Sequence, residues 1–159
     1  MKAAIFFGSK SDAQVMKKAS DVLKEFGVSY SAYTVSAHRC PELLAEIISK
    51  LELEGTEVII AGAGLAAHLP GIIASKTIIP VIGVPISSGS LNGLDALFSI
   101  VQMPKQVPVA TVGIDNAANA AYLACEILAV KYPDLKKSLV DFREQMREDF
   151  TKNSYSNQL

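Results

Sequence analysis

The chain has almost no net charge. Its 159 residues include 15 lysines and arginines and 16 aspartates and glutamates, which gives a formal net charge of −1 at pH 7. Proteins that bind nucleic acids or anionic membranes carry an excess of basic residues, so this balance argues against both kinds of partner. Any anion that the protein binds must therefore be held locally, by a few well-placed groups.

Cysteines are equally scarce. Cys40 and Cys125 are the only two, and they match no metal-ligand spacing, so we expect no metal site and a reduced, cytoplasmic setting. The apolar stretch at the N-terminus ends at Gly8 and is shorter than the core of a signal peptide, which favours a protein that is not exported.

Long apolar runs are also missing, with one apparent exception. Residues 58–75 carry no charge at neutral pH apart from a proton that His68 can bind, which is a feature of membrane spans. Four helix-breaking residues interrupt the segment: Gly62, Gly64, Pro70 and Gly71. A buried strand, a glycine turn and a short helix account for these residues better than a membrane span does.

Short apolar runs alternate with amphipathic stretches along the chain, and half of all residues are hydrophobic, enough for the core of one domain. Runs typical of buried parallel strands lie at residues 3–7, 28–35, 58–61, 79–84 and 109–112, and Pro85 ends the fourth. Apolar residues recur at helical spacing over residues 12–26, 41–51, 68–75, 94–102 and 116–131. Five strands, each followed by a helix, predict a doubly wound, flavodoxin-like α/β sandwich of three layers with a five-stranded parallel sheet.

A sixth, C-terminal helix follows Pro133. Five apolar residues recur along it at helical spacing, with charges between them: Leu135, Leu139, Phe142, Met146 and Phe150. Because the five strand–helix units are complete before this helix, its apolar stripe needs a further surface to cover. We predict a flavodoxin-like catalytic domain over residues 1–132, and a helix and tail over residues 133–159 that pack on a neighbouring subunit. The alternative is that the helix folds back on its own domain.

Both histidines of the chain lie in loops at strand ends. In the flavodoxin-like strand order 2-1-3-4-5, the loops after strands one, two and three converge at the switch point where such sheets bind ligands. These loops contain Ser9, Ser11, Asp12, Ser36, His38, Arg39 and the stretch from Gly62 to His68. Histidine gives and takes protons near neutral pH, so this cluster predicts proton chemistry at one crevice.

Each part of the cluster also has a structural interpretation. Ser11 or Asp12 serves either as a helix cap or, with the free N–H groups of a helix start, as a phosphate site; neither a P-loop nor a dinucleotide fingerprint is present. Arg39 is either an exposed surface residue or binds a phosphate through two N–H groups of its guanidinium. Gly62 and Gly64 either form a tight turn or let backbone amides approach a small planar group such as a carboxylate or carbon dioxide.

A polar loop, Ser87 to Gly93, follows the fourth strand. It is long for its position, and no apolar pattern covers it. Loops of this kind contribute to binding or catalysis more often than to the packing of the core. The loop is therefore a candidate for substrate contact or for a lid.

Five segments, in order, resemble the N5-carboxyaminoimidazole ribonucleotide mutase family, small bacterial enzymes of purine biosynthesis also described as the catalytic subunit of phosphoribosylaminoimidazole carboxylase. They are Gly8-Ser9-Lys10-Ser11-Asp12, Ser36-Ala37-His38-Arg39, residues 61–71, Leu91-Asn92-Gly93-Leu94-Asp95 and residues 99–104. The resemblance covers about residues 4–131. It implies a reaction without metal, nucleotide or organic cofactor. The carbamate on the exocyclic nitrogen of a phosphorylated imidazole ribonucleotide leaves as carbon dioxide, is held in the site, and is reattached to ring carbon 4.

The resemblance also implies roles for individual residues. His38 matches the general acid/base, which protonates the departing nitrogen and later removes the proton from carbon 4. His68, with Ala66 and the backbone of Gly62 and Gly64, matches the region that confines the carboxylate. The phosphate and ribose contacts match Ser9, Ser11, Asp12, Ser36 and Arg39. The family forms octamers whose C-terminal segments pack on neighbouring subunits.

The chain departs from the family pattern at three positions. Leu65 stands where a second glycine is usual, Cys40 where threonine is common, and Ala96 where serine is common. Leu65 matters most, because a bulky side chain there is able to reshape the carbon dioxide pocket. A divergent branch of the family carboxylates aminoimidazole ribonucleotide directly, but it departs from the pattern of residues 66–71, so this chain resembles the mutase type.

Two other classes of function were weighed. A non-catalytic flavodoxin-like module that binds a flavin or a nucleotide would carry aromatic residues in the crevice loops for stacking, and none of the three loops contains one. A purely structural assembly protein would leave the cluster of histidine, arginine and serine unexplained.

Overall fold

The structure, a computed structural model, describes residues 1–154, with side chains through Lys152. The five strands are β1 Lys2–Phe7, β2 Ser29–Thr34, β3 Val58–Gly64, β4 Val81–Ile86 and β5 Ala110–Thr111. A 3₁₀ turn, Lys10–Asp12, precedes the first helix. The helices are α1 Ala13–Glu25, α2 Pro41–Leu53, α3 Leu69–Ala74, α4 Leu94–Val101, α5 Ala117–Ala129 and α6 Pro133–Ser154.

All strand pairs are parallel, and the sheet order is β2-β1-β3-β4-β5. Side chains of successive strand residues point to opposite faces, so each central strand supplies two cores. Ile5 packs on the face covered by α1 and α5, whereas its neighbour Phe6 packs on the face covered by α2, α3 and α4. The predicted three-layer, flavodoxin-like sandwich with an extra C-terminal helix is confirmed.

The third strand is longer than predicted. It continues through Gly62 to Gly64, because Gly62 pairs with both Phe7 and Val84, and Gly64 pairs with Ile86. The prediction ended this strand at Ala61 because glycines usually mark turns, whereas here neighbouring strands on both sides supply backbone partners. The segment considered as a membrane span thus forms β3 and α3. Within residues 1–154, no helix is long and apolar enough to cross a membrane.

The fourth strand includes Pro85, which was predicted to end it. Proline lacks the N–H that a strand neighbour needs, so it is tolerated only where no neighbour requires that donor. β5 ends at Thr111, and beyond that point Pro85 only accepts a hydrogen bond, from the Asp115 N–H to its carbonyl oxygen at 2.9 Å. The missing donor therefore costs the sheet no hydrogen bond.

The first half of α6 folds back on its own domain. Leu135 and Leu139 are 2% and 8% exposed and belong to the same core as α1 and α5. Phe142 stacks on Tyr122 with 5.3 Å between ring centroids. For this half of the apolar stripe, the alternative prediction is therefore the right one: the helix folds back on its own domain. Met146 is exposed, and the packing of this end on a neighbouring subunit stays a prediction. Residues 155–159 of the predicted tail lie outside the described residues.

At the amino end of the sheet, Glu57 joins the turn between α5 and α6 to the strands. The Tyr132 hydroxyl lies 2.9 Å from both Glu57 carboxylate oxygens, and the Lys131 ammonium donates to one of them at 2.8 Å. The Lys2 backbone N–H donates at 3.3 Å. Burial alone would raise the pKa of the Glu57 carboxyl, but these donors outweigh it and hold the pKa below its ordinary value.

This contact predicts a pH-dependent contribution to stability. A carboxyl whose pKa is lower in the folded state stabilises the fold above its unfolded pKa, and that contribution is lost as the pH falls through the folded value. Glu57→Gln should therefore lower the free energy of unfolding at pH 7 by about 1.5–3 kcal/mol, as expected for hydrogen bonds to a charged group. The difference from wild type, measured by urea unfolding, should shrink as the pH is lowered toward 3.

The matched control is Glu148→Gln, which removes the partner of Lys152 in an exposed pair on α6. Exposed pairs of this kind contribute at most about 1 kcal/mol. A Glu57→Gln difference that stays constant between pH 7 and pH 3 would show that Glu57 is not held as a carboxylate by these donors.

Candidate functional site

The candidate site lies at the carboxyl edge of the sheet, where β1, β2 and β3 end side by side. The three connections that leave these strands carry the residues of the predicted cluster, except Gly62 to Gly64, which form the end of β3. The loop after β2 is joined to β1 by the Val35 N–H, which donates to the Phe7 carbonyl at 3.0 Å. The parallel register thus brings the three loops to one edge.

The loop after β1 forms a capping box. The Ser9 side chain accepts from the Ser11 N–H at 3.3 Å, and the Asp12 carboxylate accepts from the Ser9 N–H at 3.0 Å. The Ser11 hydroxyl is 2.9 Å from the Ser9 hydroxyl and 3.2 Å from Asp12. The capping residue is thus Ser9 and not Ser11 or Asp12, and Asp12 is the second member of the capping box. The same bonds hold two hydroxyl groups close together at the start of a helix.

A cavity of about 460 Å³ opens beside this turn. It brings Ser9 together with Ser36 and Arg39 from the loop after β2, as the sequence predicts. Lys10 also lines it, which the sequence analysis did not single out because an isolated lysine is usually a solvated surface residue. The rest of its lining is Gly8, Thr34, Val35, Cys40 and Leu43. Ser11 and Asp12 are not part of the lining.

The cavity has two exposed cations and no carboxylate in its lining. Within residues 1–154, neither Lys10 nor Arg39 takes part in an ion pair. Two unpaired cations next to serine hydroxyls form a local positive site in a chain whose net charge is −1. Such a site suits a phosphate group.

The two histidines are in direct contact. His38 follows β2 and His68 immediately precedes α3, and their Nε2 and Nδ1 atoms are 2.7 Å apart. The rings are perpendicular, with 4.8 Å between centroids. One nitrogen must donate and the other accept, so the pair shares one proton between two exposed imidazoles. His38 also lies in sequence between Ser36 and Arg39, two residues of the cavity lining.

The two glycines at the end of β3 permit close packing on one face of the sheet. A Cβ on Gly62 would overlap the Met16 sulfur of α1, so this buried glycine serves helix packing. A Cβ on Gly64 would lie 2.6 Å from the Ser88 hydroxyl oxygen. Gly64 therefore lets the polar loop after β4 approach the glycine turn. Ala66 is exposed in the same turn, two residues before His68.

Leu65 adopts a backbone conformation that favours glycine. Its φ is +53°, in the left-handed region, and its side chain is 55% exposed. The strain explains why a glycine is the usual residue of the resembled family at this position. The side chain packs toward Gly89, where an added Cβ would lie 2.9 Å from Leu65 Cδ2. Leu65 thus fills space between the glycine turn and the polar loop.

The site was also searched for metal-binding clusters and reactive thiols. In the described part of the chain, no three His, Cys, Asp or Glu side chains lie close enough to hold a metal ion. Cys40 is an exposed free thiol in the cavity lining. Cys125 is buried on α5, and burial raises the pKa of its thiol to about 11, which keeps the thiol protonated at neutral pH.

Comparisons with known proteins identify relatives of the chain. The model of the AIR carboxylase family matches residues 2–149. A Pyrococcus abyssi protein named N5-carboxyaminoimidazole ribonucleotide mutase is 60% identical over 146 residues, which cover 92% of this chain and 84% of that protein. A Thermotoga maritima protein of the same name is 53% identical over 148 residues, 93% and 86% of the two chains. The crystal structure of Treponema denticola PurE superimposes with a TM-score of 0.90 at 26% identity, covering 99% of each chain.

Proposed function

The chain belongs to the AIR carboxylase family, and we propose that it is an isomerase of purine biosynthesis that interconverts N5-carboxyaminoimidazole ribonucleotide and 4-carboxy-5-aminoimidazole ribonucleotide. The resemblance seen in five sequence motifs is confirmed by the family match. The observation that carries the proposed chemistry is the 2.7 Å contact between His38 and His68 beside a cationic cavity. It supplies a proton carrier next to an anion site.

The phosphate end of the substrate is assigned to the cavity. In this assignment, Arg39 and Lys10 supply the positive charge that attracts the phosphate, and the hydroxyl groups of Ser9 and Ser36 donate hydrogen bonds to it. Ser11 and Asp12 lie outside the cavity lining, and their assigned contact is the ribose. The ribonucleotide then extends from the cavity toward His38.

The proton steps are assigned to His38. It protonates the exocyclic nitrogen as the bond from nitrogen to the carboxyl carbon breaks, which releases carbon dioxide. Carbon 4 of the ring then attacks the carbon dioxide, and His38 removes the proton from carbon 4. The proton given to nitrogen is replaced by the proton taken from carbon, so the enzyme ends in its starting protonation state.

The confining role is assigned to the turn that contains His68. Its Nδ1 contacts His38 and orients that ring, which leaves Nε2 free to face the carboxylate. Ala66 and the backbone of Gly62 and Gly64 complete this side of the pocket. Confinement matters because carbon dioxide has no charge by which a protein can hold it.

Direct carboxylation of aminoimidazole ribonucleotide is the alternative reaction for the same site. The high identity to proteins named as mutases favours the mutase. A non-catalytic nucleotide- or flavin-binding module has no feature that favours it, since the residues of the cavity lining include no aromatic ring.

The central catalytic prediction concerns His38→Asn, which keeps a polar side chain of similar shape and removes the titratable ring. Turnover of the carbamate should fall roughly a hundredfold or more, because general acid/base catalysis contributes about 10²–10⁴. Binding of the ribonucleotide, measured by calorimetry, should be largely kept. Turnover near that of wild type would remove His38 from the mechanism, and a wild-type preference for aminoimidazole ribonucleotide plus bicarbonate would favour direct carboxylation.

The phosphate assignment predicts a selective loss in Arg39→Ala. The variant should bind the ribonucleotide more weakly by about 1.5–3 kcal/mol, the usual contribution of a hydrogen bond to a charged group. Binding of the phosphate-free riboside serves as the control and should change little. An equal loss for both ligands would place Arg39 away from the phosphate.

The assembly proposed is a cytoplasmic homo-oligomer, an octamer as the family resemblance implies. The support lies on α4, where three large apolar side chains on one face are half-exposed: Leu94, Phe98 and Val101. Single exposed apolar residues are common, but an aligned group favours an interface. This stripe offers a surface for a second subunit.

Phe98→Asp tests the assembly by placing a charge in the centre of the α4 stripe. It should lower the mass measured by sedimentation equilibrium while circular dichroism stays that of wild type. The control is Gln14→Asp, an exposed change on α1 at the opposite face of the sheet. Wild-type protein that sediments as a single chain would contradict the proposed oligomer, and an unchanged mass in Phe98→Asp would exclude the α4 stripe.

A further inference from the structure

Ser88 has a buried hydroxyl without a partner. Its Oγ makes no hydrogen bond with any described residue, although it is shielded from water. Such a group costs free energy in the folded protein, and a site that keeps one needs an explanation. Among the described residues, Asp95 Oδ1 in the first turn of α4, Ser31 Oγ on β2 and Thr56 Oγ1 just before β3 also lack a partner. Asp95 follows the same polar loop as Ser88, whereas Ser31 and Thr56 lie away from the carboxyl edge of the sheet. Ser88 lies at that edge.

The position of Ser88 is next to the glycine turn. Its Oγ occupies the space that a side chain on Gly64 would need, since a Cβ there would lie 2.6 Å away. The backbone carbonyl of Ile86 lies 3.2 Å from the same point. Gly64, the last residue of β3 before the turn that leads to His68, therefore leaves room for one hydroxyl group.

The loop that carries Ser88 is fixed at its base by Asp115. The Ser87 N–H donates to Asp115 Oδ1 at 2.8 Å, and the Asp115 N–H donates to the Pro85 carbonyl at 2.9 Å. Asp115 has a φ of +57°, so it adopts the left-handed conformation in order to make both bonds. The backbone of the next residue, Ser88, is thereby held close to the end of the sheet.

We propose that Ser88 donates a hydrogen bond to the carboxylate group of the substrate, and that Asp115 is the positioning residue that holds Ser88 in place. This inference rests on the proposed function, which assigns the turn from Gly64 to His68 to the carboxylate. Ser88 as a whole is only half-buried, so rotation about its Cα–Cβ bond turns Oγ from the buried side to the open side without moving the backbone. Binding thus replaces an unpartnered hydroxyl with a bond to a charged acceptor.

Ser88→Ala tests the contact through two ligands that differ only in the carboxylate. The variant should bind 4-carboxy-5-aminoimidazole ribonucleotide roughly 10- to 100-fold more weakly, and aminoimidazole ribonucleotide within about twofold of wild type. Its melting temperature should equal or exceed that of wild type, because a buried hydroxyl without a partner has been removed. The control is Ser90→Ala, an exposed serine of the same loop, which should change none of these values.

Asp115 is tested by a pair of variants that both suit its positive φ. Asp115→Gly removes the acceptor for the Ser87 N–H without backbone strain, and should weaken only the carboxylated ligand. Asp115→Asn keeps an acceptor oxygen and should restore binding to within about threefold of wild type. In the variant that combines Ser88→Ala with Asp115→Gly, the loss should be no larger than in Ser88→Ala alone, since both changes remove the same contact.

The outcomes separate this inference from the proposed function. If wild type binds both ribonucleotides and Ser88→Ala weakens neither, or weakens both equally, the carboxylate contact is wrong and the proposed function stands. If wild type binds neither ribonucleotide, the proposed function fails and this inference fails with it. Additive losses in the combined variant would show that Asp115 does not act through Ser88.

Discussion

The parallel pairing of β1 with both β2 and β3 is the constraint on which the site depends. Strands that run in one direction end at one edge, and the order β2-β1-β3 makes the three polar loops neighbours. Thirty residues separate His38 from His68 in the chain, yet their ring nitrogens are 2.7 Å apart because each histidine follows one of the two strands that flank β1. A shift of the register would separate the two imidazoles and remove the shared proton.

The same edge concentrates positive charge in a chain whose net charge is −1. Lys10 and Arg39 come from two different loops, and each is without an ion pair in the described part of the chain, so their charge is concentrated at one cavity. The capping box keeps the Ser9 hydroxyl beside these cations. At the opposite end of the strands, Glu57 joins the turn between α5 and α6 to the sheet and does not enter the site.

The sequence predicted those features that depend on local periodicity and on topology. The alternation of strands and helices predicts a doubly wound parallel sheet, and the flavodoxin-like strand order chosen for that sheet brings His38 to His68. It did not predict that Pro85 continues β4, because the direction of the missing N–H is known only once β5 is in place. The sequence also did not decide which surface covers α6. An apolar stripe shows that Leu135 and Leu139 are buried, but it does not show whether they pack on their own domain or on another subunit. Lys10 and Ser88 were missed because the burial and lining of single polar residues depend on tertiary contacts.

In the proposed mechanism, one site releases carbon dioxide, confines it beside the histidine pair, and returns it to the same molecule. The most direct test supplies carbamate substrate labelled with carbon-13 in its carboxyl group, together with an excess of unlabelled bicarbonate. Mass spectrometry of the 4-carboxy product after a single turnover then reports where its carboxyl carbon came from. The account predicts that most of the product keeps the label. Product that carries the isotope ratio of the surrounding bicarbonate would contradict confinement and favour carboxylation from solution.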